Sequence, residues 1–284
     1  MDDSAAMSRR PQLTVLSLLF AALHLACLAV LLVPFRWWLP LLALASYGIR
    51  MFGVTAGYHR YFSHRTYRLG RIPQFLLAFL AQTSGQKGIL WWASHHRNHH
   101  RDSDLETDIH SPVTQGFWYS HVGWVLSGAH DDYDPSNLPD LTKFPELRFL
   151  NDHHWICPWL FGILSFEIGV WTGVGGWAGL LWAFVVPTVA LYHGTFTINS
   201  LAHVWGSRRF DTPDQSRNNW FLALLTLGEG WHNTHHAYQS SCRQGLHWWE
   251  VDLTYYGLKA LSWVRMVRDI RVFPKGLGSL RPDP

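Results

Sequence analysis

The chain has 284 residues, 48% hydrophobic and only 15% charged, where soluble domains carry roughly 25% charged residues. Aromatic residues alone make up 15% of the chain, 17 of them tryptophan, the balance of apolar membrane spans with tryptophan at their interfaces. The net charge of +3 offers no strongly basic surface for a nucleic acid, and three cysteines (Cys27, Cys157, Cys242) support neither a disulfide framework nor a cysteine-rich zinc site.

Taken in chain order, Ser8-Arg9-Arg10 precedes an apolar run and has the look of a twin-arginine export signal. The run is long and no small-residue cleavage site follows it, so it reads as a retained signal anchor, with residues 1–12 as a cytosolic tail. A first span over about 13–34 is long enough, at 1.5 Å per residue, to cross the hydrocarbon core. Residues 35–38 turn the chain at the interface, and a second span over about 39–58 completes a hairpin. Arg60, Arg65, Arg68 and Arg71 follow at once, as the positive-inside rule asks of a cytosolic segment. Residues 72–92 are apolar but interrupted by Gln82, Ser84, Gly85, Gln86, Lys87 and Gly88, and suggest one interfacial or partly buried helix. Residues 101–154 are rich in aspartate and predict a water-exposed cytosolic segment.

A third span covers about 155–172, and a glycine-rich turn leads into a fourth over about 177–200, whose last turns project past the bilayer to His203. From there the chain is soluble again. Residues 253–272 predict an amphipathic helix, with Leu258, Leu261, Val264 and Val267 on one face and Lys259, Arg265, Arg268 and Arg271 toward the membrane surface. The expected fold class is all-α integral membrane, with four transmembrane helices in two hairpins and both termini cytosolic. Residues 59–154 and 203–284 form a cytosolic helical cap carrying the histidines, and 13–284 make one domain.

Histidine is the outlier, at 18 residues. His96, His99 and His100 stand at i, i+3 and i+4, the spacing of one helical face, and His232, His235 and His236 repeat it. Asn199 and His203 are again one turn apart. His59 and His64 do not share a regular helical face, so the helix ends or distorts between them. Every one of these elements falls on the predicted cytosolic side. Neutral imidazole is a ligand for iron, zinc and copper. Nine clustered histidines exceed what one ion takes, and two ions sharing them is the natural count. A zinc site would be satisfied by three or four ligands, so an all-nitrogen dinuclear site beside a membrane points toward iron handling oxygen, although composition does not separate iron from another transition metal. His95 lies on a different helical face from its neighbours and is left out, and His110 is undecided. His24, His121, His130, His153, His154, His193 and His247 read as core, packing or interface residues.

The order H-x4-H, H-x2-HH, N-x3-H, H-x2-HH resembles the membrane fatty-acyl desaturases, most closely the Δ9 stearoyl-CoA type. The flanks match as well: Thr55-Ala56-Gly57-Tyr58-His59-Arg60, Gly116-Phe117-Trp118-Tyr119-Ser120-His121, and Gly228-Glu229-Gly230-Trp231-His232-Asn233. The resemblance implies two non-haem iron ions held by His59, His64, His96, His99, His100, His203, His232, His235 and His236, with Asn199 acting through a water. It implies O2 as co-substrate and a cis double bond, of the Δ9 type, placed in a long-chain fatty acyl substrate. The same site could serve a hydroxylase or an acetylenase. A histidine-rich metal transporter is the remote alternative, but transporters place ligands near the bilayer midplane and these lie at cytosolic ends.

The chain departs from the pattern in two places. Ser94-His95 and Thr114-Gln115 stand where the acyl-CoA members carry charged pairs, so an acyl-carrier-protein thioester or a lipid-linked chain joins acyl-CoA among the expected substrates. No His-Pro-Gly-Gly haem-domain motif occurs, so the resemblance implies a separate electron donor of ferredoxin, rubredoxin or cytochrome b type with its reductase. The other expected partner is membrane lipid, with no nucleic acid, and the expected location is the cytoplasmic membrane if the source is bacterial. The acyl chain would lie in an apolar tunnel between the spans, with Tyr47, Trp92 and Phe196 as walls. Tyr47, three helical turns or roughly 18 Å before His59, is expected to close the tunnel and limit chain length.

Overall fold

The computed structural model describes residues 15–274 and 276–277, and the 1–12 tail with Arg9 and Arg10 and the first two residues of the signal-anchor span fall outside them. Nine helices carry the argument: α1 (Val15–Ala26), α2 (Leu39–Ser63), α3 (Arg71–Gln82), α4 (Ile89–Asp102), α5 (Ile156–Trp171), α6 (Gly176–His203), α7 (Trp220–Leu225), α8 (His232–Ala237) and α9 (Leu253–Trp263). Short helical turns fill 112–152. The one sheet among the described residues is a two-residue antiparallel ladder, β1 (Arg68–Leu69) on β2 (Val267–Arg268). The described residues are therefore mostly helical, with almost no sheet.

Two of these helices, α2 and α6, are long and apolar enough to cross a membrane; the apolar stretches Leu16–Leu32 and Ile156–Trp171 are shorter. At 1.5 Å per residue α2 runs about 37 Å and α6 about 42 Å, both longer than a hydrocarbon core of about 30 Å. Each can thus carry its last turns, with their histidines, beyond an apolar layer. Glycines bring α5 and α6 into backbone contact: a Cβ on Gly169 would lie 2.4 Å from the Gly175 carbonyl oxygen, and one on Gly179 2.4 Å from that of Ser165. Small residues at such a crossing are the usual way apolar helices approach closely. Arg50, fully buried in α2, donates to the Thr83 carbonyl and to Thr188 Oγ1, both at 2.7 Å, and so ties α2 to α6 and to the turn after α3.

Three expectations change. Residues 72–92 are not one helix: α3 ends at Gln82, and Gly85 and Lys87 adopt left-handed φ of 72° and 64° in the turn before α4. Asn151 closes that turn, its Oδ1 accepting from the amides of Leu90 and Trp91 at 3.0 and 3.1 Å, which satisfies two of the N–H groups a helix start leaves free. The 101–154 segment is not uniformly exposed, since Asp108, Leu138, Leu141, Leu147 and Leu150 are buried. Nor does the predicted 253–272 helix run its length. It stops at Trp263, Arg265 turns left-handed at φ 61°, and Val267 is buried by pairing with Leu69.

Candidate metal centre

Residues 53–63 of α2 wind as a π-helix, and the turn is closed by His64 N donating to His59 O at 3.2 Å. In a regular helix residues five apart diverge, but the wider i→i+5 turn returns them to one side. The His59 and His64 rings stand 4.8 Å apart in consequence. Ser63 Oγ donates to the Tyr58 carbonyl at 2.8 Å, adding a partner within the widened turn. The distortion expected between the two histidines is thus a π turn, a feature common at functional sites.

Four elements bring nine imidazoles together in two groups. His59 and His64 from α2, His96 and His100 from α4 and His235 from α8 place their ligand nitrogens within 4.8 Å of one another. Their Nε2 atoms face each other at 2.8 Å (His64, His96), 2.9 Å (His59, His235) and 3.0 Å (His100 with both His96 and His235). His99 from α4, His203 from the end of α6, and His232 and His236 from α8 make the second, wholly buried group, with the Nε2 atoms of His203 and His232 3.1 Å apart. The groups adjoin, the His100 and His236 ring centres lying 4.4 Å apart. Asn199 lies one turn before His203 and lines the cavity described below.

Four rings are oriented from behind by carboxylates. His99 Nδ1 donates to Asp108 at 3.0 Å, His203 Nδ1 to Asp104 at 2.9 Å, His236 Nδ1 to Asp214 at 2.7 Å, and His59 Nδ1 to Glu229. A proton held on Nδ1 leaves the Nε2 lone pair facing inward, the tautomer a metal ligand needs. The carboxylates are held in turn: Asp104 accepts from the Gln215 amide at 2.7 Å, Asp214 from the Ser216 amide at 2.9 Å, and Glu229 from Arg60 at 2.9 Å and Gln244 at 2.8 Å. Burial pushes these acids up, but the facing histidines outweigh it. Asp104, Asp108 and Asp214 sit below the usual carboxylate range, and Glu229, with Arg60 added, is lowered to about 2. None of these acids is apparent from histidine spacing. The signal that could have found them is chemical: each inward-facing imidazole needs an acceptor behind it, and few acids are available.

Burial, then the neighbouring rings, push His64, His96, His100, His232 and His235 well below the usual imidazole range, and His236 to about 4 against the pull of Asp214. At these six positions neutral lone-pair donors therefore converge at neutral pH, while His99 is shifted upward, its burial outweighed by Asp108 and the acids around it. His236 Nε2 is buried without a hydrogen-bond partner, which is costly unless something else satisfies it. The donor set fits two transition-metal ions and exceeds a single zinc site. His95 turns away, its Nε2 against the Asp132 carbonyl at 3.0 Å. His110 is buried beside His99, with ring centres 4.5 Å apart, and shares Asp108 with it.

An apolar cavity of about 430 Å³ runs up to His96, His110 and Asn199, a size suited to a ligand of tens of atoms. Trp92 and Phe196 line it. Tyr47 is not among its lining residues: its hydroxyl donates to the Leu225 carbonyl at 2.7 Å. The tryptophans Trp91, Trp124, Trp155 and Trp159, which the sequence did not single out, line it as well.

The family profile described as Fatty acid desaturase matches residues 35–262. The chain is 36% identical over 263 residues to an acyl-CoA 5-desaturase of Anemone leveillei, covering 90% of this chain and 78% of that protein. It is 35% identical over 262 residues to the sn-1 stearoyl-lipid 9-desaturase of Synechocystis, covering 90% and 79%. With the sn-1 stearoyl-lipid 9-desaturase of Anabaena variabilis it shares 35% identity over 275 residues, covering 95% and 98%.

Proposed function

The chain belongs to the fatty acid desaturase family and is an oxidoreductase, and from that premise we propose that it places a cis double bond, of the Δ9 type, in a long-chain fatty acyl substrate, using O2 and two external electrons. The observation that carries this reading is the convergence of nine imidazoles at the end of an apolar cavity. An alkane C–H bond offers no handle to an acid or base, so the reaction needs a redox metal. Two bound iron ions would supply O2 activation and removal of hydrogen from adjacent methylenes.

The chain's own residues have three tasks. His59, His64, His96, His100 and His235 would hold one ion, and His99, His203, His232 and His236 the other, with Asn199 acting through a water. Asp104, Asp108, Asp214 and Glu229 keep four of the rings aimed inward. Trp92, Trp124 and Phe196 exclude water and lay the acyl chain beside His96 and Asn199. The long helices α2 and α6 and the shorter apolar α1 and α5 support a reading of four spans in two hairpins; cytosolic termini and a single domain over residues 13–284 complete that proposal. A separate redox protein with its reductase would supply electrons from the cytosolic side, and the acyl chain would arrive as a thioester or within a lipid.

Expression in a host lacking its own unsaturated-acid synthesis, followed by mass spectrometry of the fatty acids, tests the reading. A new double bond at C9 is expected. Iron-loaded, reduced protein that yields no new product would overturn it.

A further inference from the structure

The stretch from Gly116 to Gly123 supplies none of the nine imidazoles and none of the cavity's lining. It lies instead against the end of α6. After Gly116, left-handed at φ 84°, Tyr119–Gly123 wind as a π turn, and two consecutive side chains of that turn hold the residues that close α6. Ser120 is fully buried, and its Oγ donates to the Asn199 carbonyl at 2.8 Å and to the carbonyl of His110. His121 Nδ1 lies 2.9 Å from Ser200 Oγ, and its ring meets Phe196 edge-on, with centres 5.8 Å apart. The backbone changes character at this contact. Regular helix ends at Asn199, Ser200 stands at φ −106° and ψ −72°, and the tighter turn Leu201–His203 carries His203 into the second group.

A line of imidazoles backs His121. Its Nε2 is 3.0 Å from His193 Nδ1, His193 Nε2 is 2.9 Å from His24 Nε2, and His24 Nδ1 is 2.7 Å from the Phe20 carbonyl. A carbonyl only accepts, so His24 carries its hydrogen on Nδ1 and accepts at Nε2. With neutral rings the order then runs back along the line: His193 donates from Nε2, and so does His121. His121 Nδ1 is left as an acceptor for the Ser200 hydroxyl, whose other acceptor is the Phe196 carbonyl at 2.8 Å. The line thus sets the tautomer of His121, as the carboxylates set those of four ligand rings.

We propose that Ser120 and His121 are positioning residues for Asn199. They fix the Asn199 carbonyl and the Ser200 hydroxyl, and so aim the Asn199 side chain at the metal centre. This rests on the two-ion desaturase reading above and gives that reading two residues that touch neither metal nor substrate.

The test loads the full-length protein with cobalt(II), whose visible absorption reports coordination without turnover. Asn199→Ala should alter the spectrum. His121→Phe and Ser120→Ala should alter it in the same way, with both ions retained and helical circular dichroism unchanged. A double variant of Asn199→Ala with His121→Phe should match either single one, because residues acting as one unit do not add. Asparagine and glutamine separate the two nitrogens of His121. His121→Asn keeps an acceptor for Ser200 and should restore the wild-type spectrum, whereas His121→Gln reaches only toward His193 and should not. In the iron-loaded enzyme His121→Phe should lower kcat about tenfold, the scale of a lost supporting contact, with KM unchanged. An unaltered spectrum in any of the three single variants, a double variant that sums the two changes, or rescue by Gln in place of Asn overturns the proposal. Wild-type protein that takes up fewer than two cobalt ions would overturn the two-ion reading itself, and the proposal with it.

Discussion

His236 donates from Nδ1 to Asp214 at 2.7 Å, while its Nε2 is buried with no partner. One nitrogen is satisfied by the protein and the other points at the centre between the rings. Asp214 thereby sets both the tautomer and the aim of His236. Asp104 does the same for His203, at 2.9 Å.

Asp214→Asn should keep the fold and weaken metal binding. An amide still accepts from Nδ1 but no longer makes the imidazole more basic. Losing such a supporting carboxylate typically costs about 10–100-fold in metal affinity. Iron content after dialysis against a graded chelator measures this, and Asp104→Asn should behave alike. Iron retained at the wild-type level in both variants would reduce the carboxylates to a packing role.

Gly230 precedes the last histidine cluster, where backbones meet. A Cβ there would stand 2.0 Å from the Ala223 amide nitrogen and 2.5 Å from the Asn219 carbonyl oxygen. Gly230→Ala must therefore push the start of α8, and His232 with it, away from α7. A cost of about 1–3 kcal/mol is expected from such overpacking, seen as earlier thermal unfolding together with reduced iron content. Wild-type values for both would show that the segment relaxes freely.

Much of the centre was legible because its chemistry repeats in one dimension. The i, i+3, i+4 spacing of His96, His99 and His100 survives folding as one helical face, and so does that of His232, His235 and His236. What stayed hidden depended on contacts distant in sequence. Asp104 reaches His203 across 99 residues and Glu229 reaches His59 across 170, and no periodicity announces either. The 253–272 helix was misjudged because the burial of Val267 comes from a strand partner at Leu69, not from a helical face. Likewise Lys87 and Asn151 break 72–92 into two helices through a left-handed turn and a side-chain cap.

Tyr47 and Phe196 should separate cleanly. The cavity does not include Tyr47, whose hydroxyl is committed to the Leu225 carbonyl. Tyr47→Phe should cost about 1 kcal/mol of stability for that bond and leave the product chain-length profile unchanged. Phe196 is buried and lines the cavity three residues before Asn199. Phe196→Ala should widen it beside the histidine cluster and shift double-bond position or accepted chain length, read by mass spectrometry of the products. The reverse pattern would mean that substrate runs along α2 instead.

Acid should loosen the site in two separate windows. His96, His100, His232 and His235 are pushed well below their usual value of about 6.5, first by burial and then by neighbouring rings, and His236 to about 4. With folded pKa values depressed, the unfolded chain takes protons that the folded one refuses as pH falls below about 6.5. Stability is therefore complete above that pH and declines toward the folded values, by up to about 1.4 kcal/mol per pH unit for each such histidine. Asp104, Asp108, Asp214 and Glu229 are also depressed, so their contribution has the same sign but is lost only below about pH 4. The thermal unfolding temperature of the iron-free protein should thus fall steadily from about pH 6.5 to 5, and iron should be released over the same range because protons compete for Nε2. A profile flat to pH 5 that collapses below 4 would assign the acid sensitivity to the carboxylates, and His96, His100, His232, His235 and His236 would then not be the neutral, enclosed donors that their packing makes them.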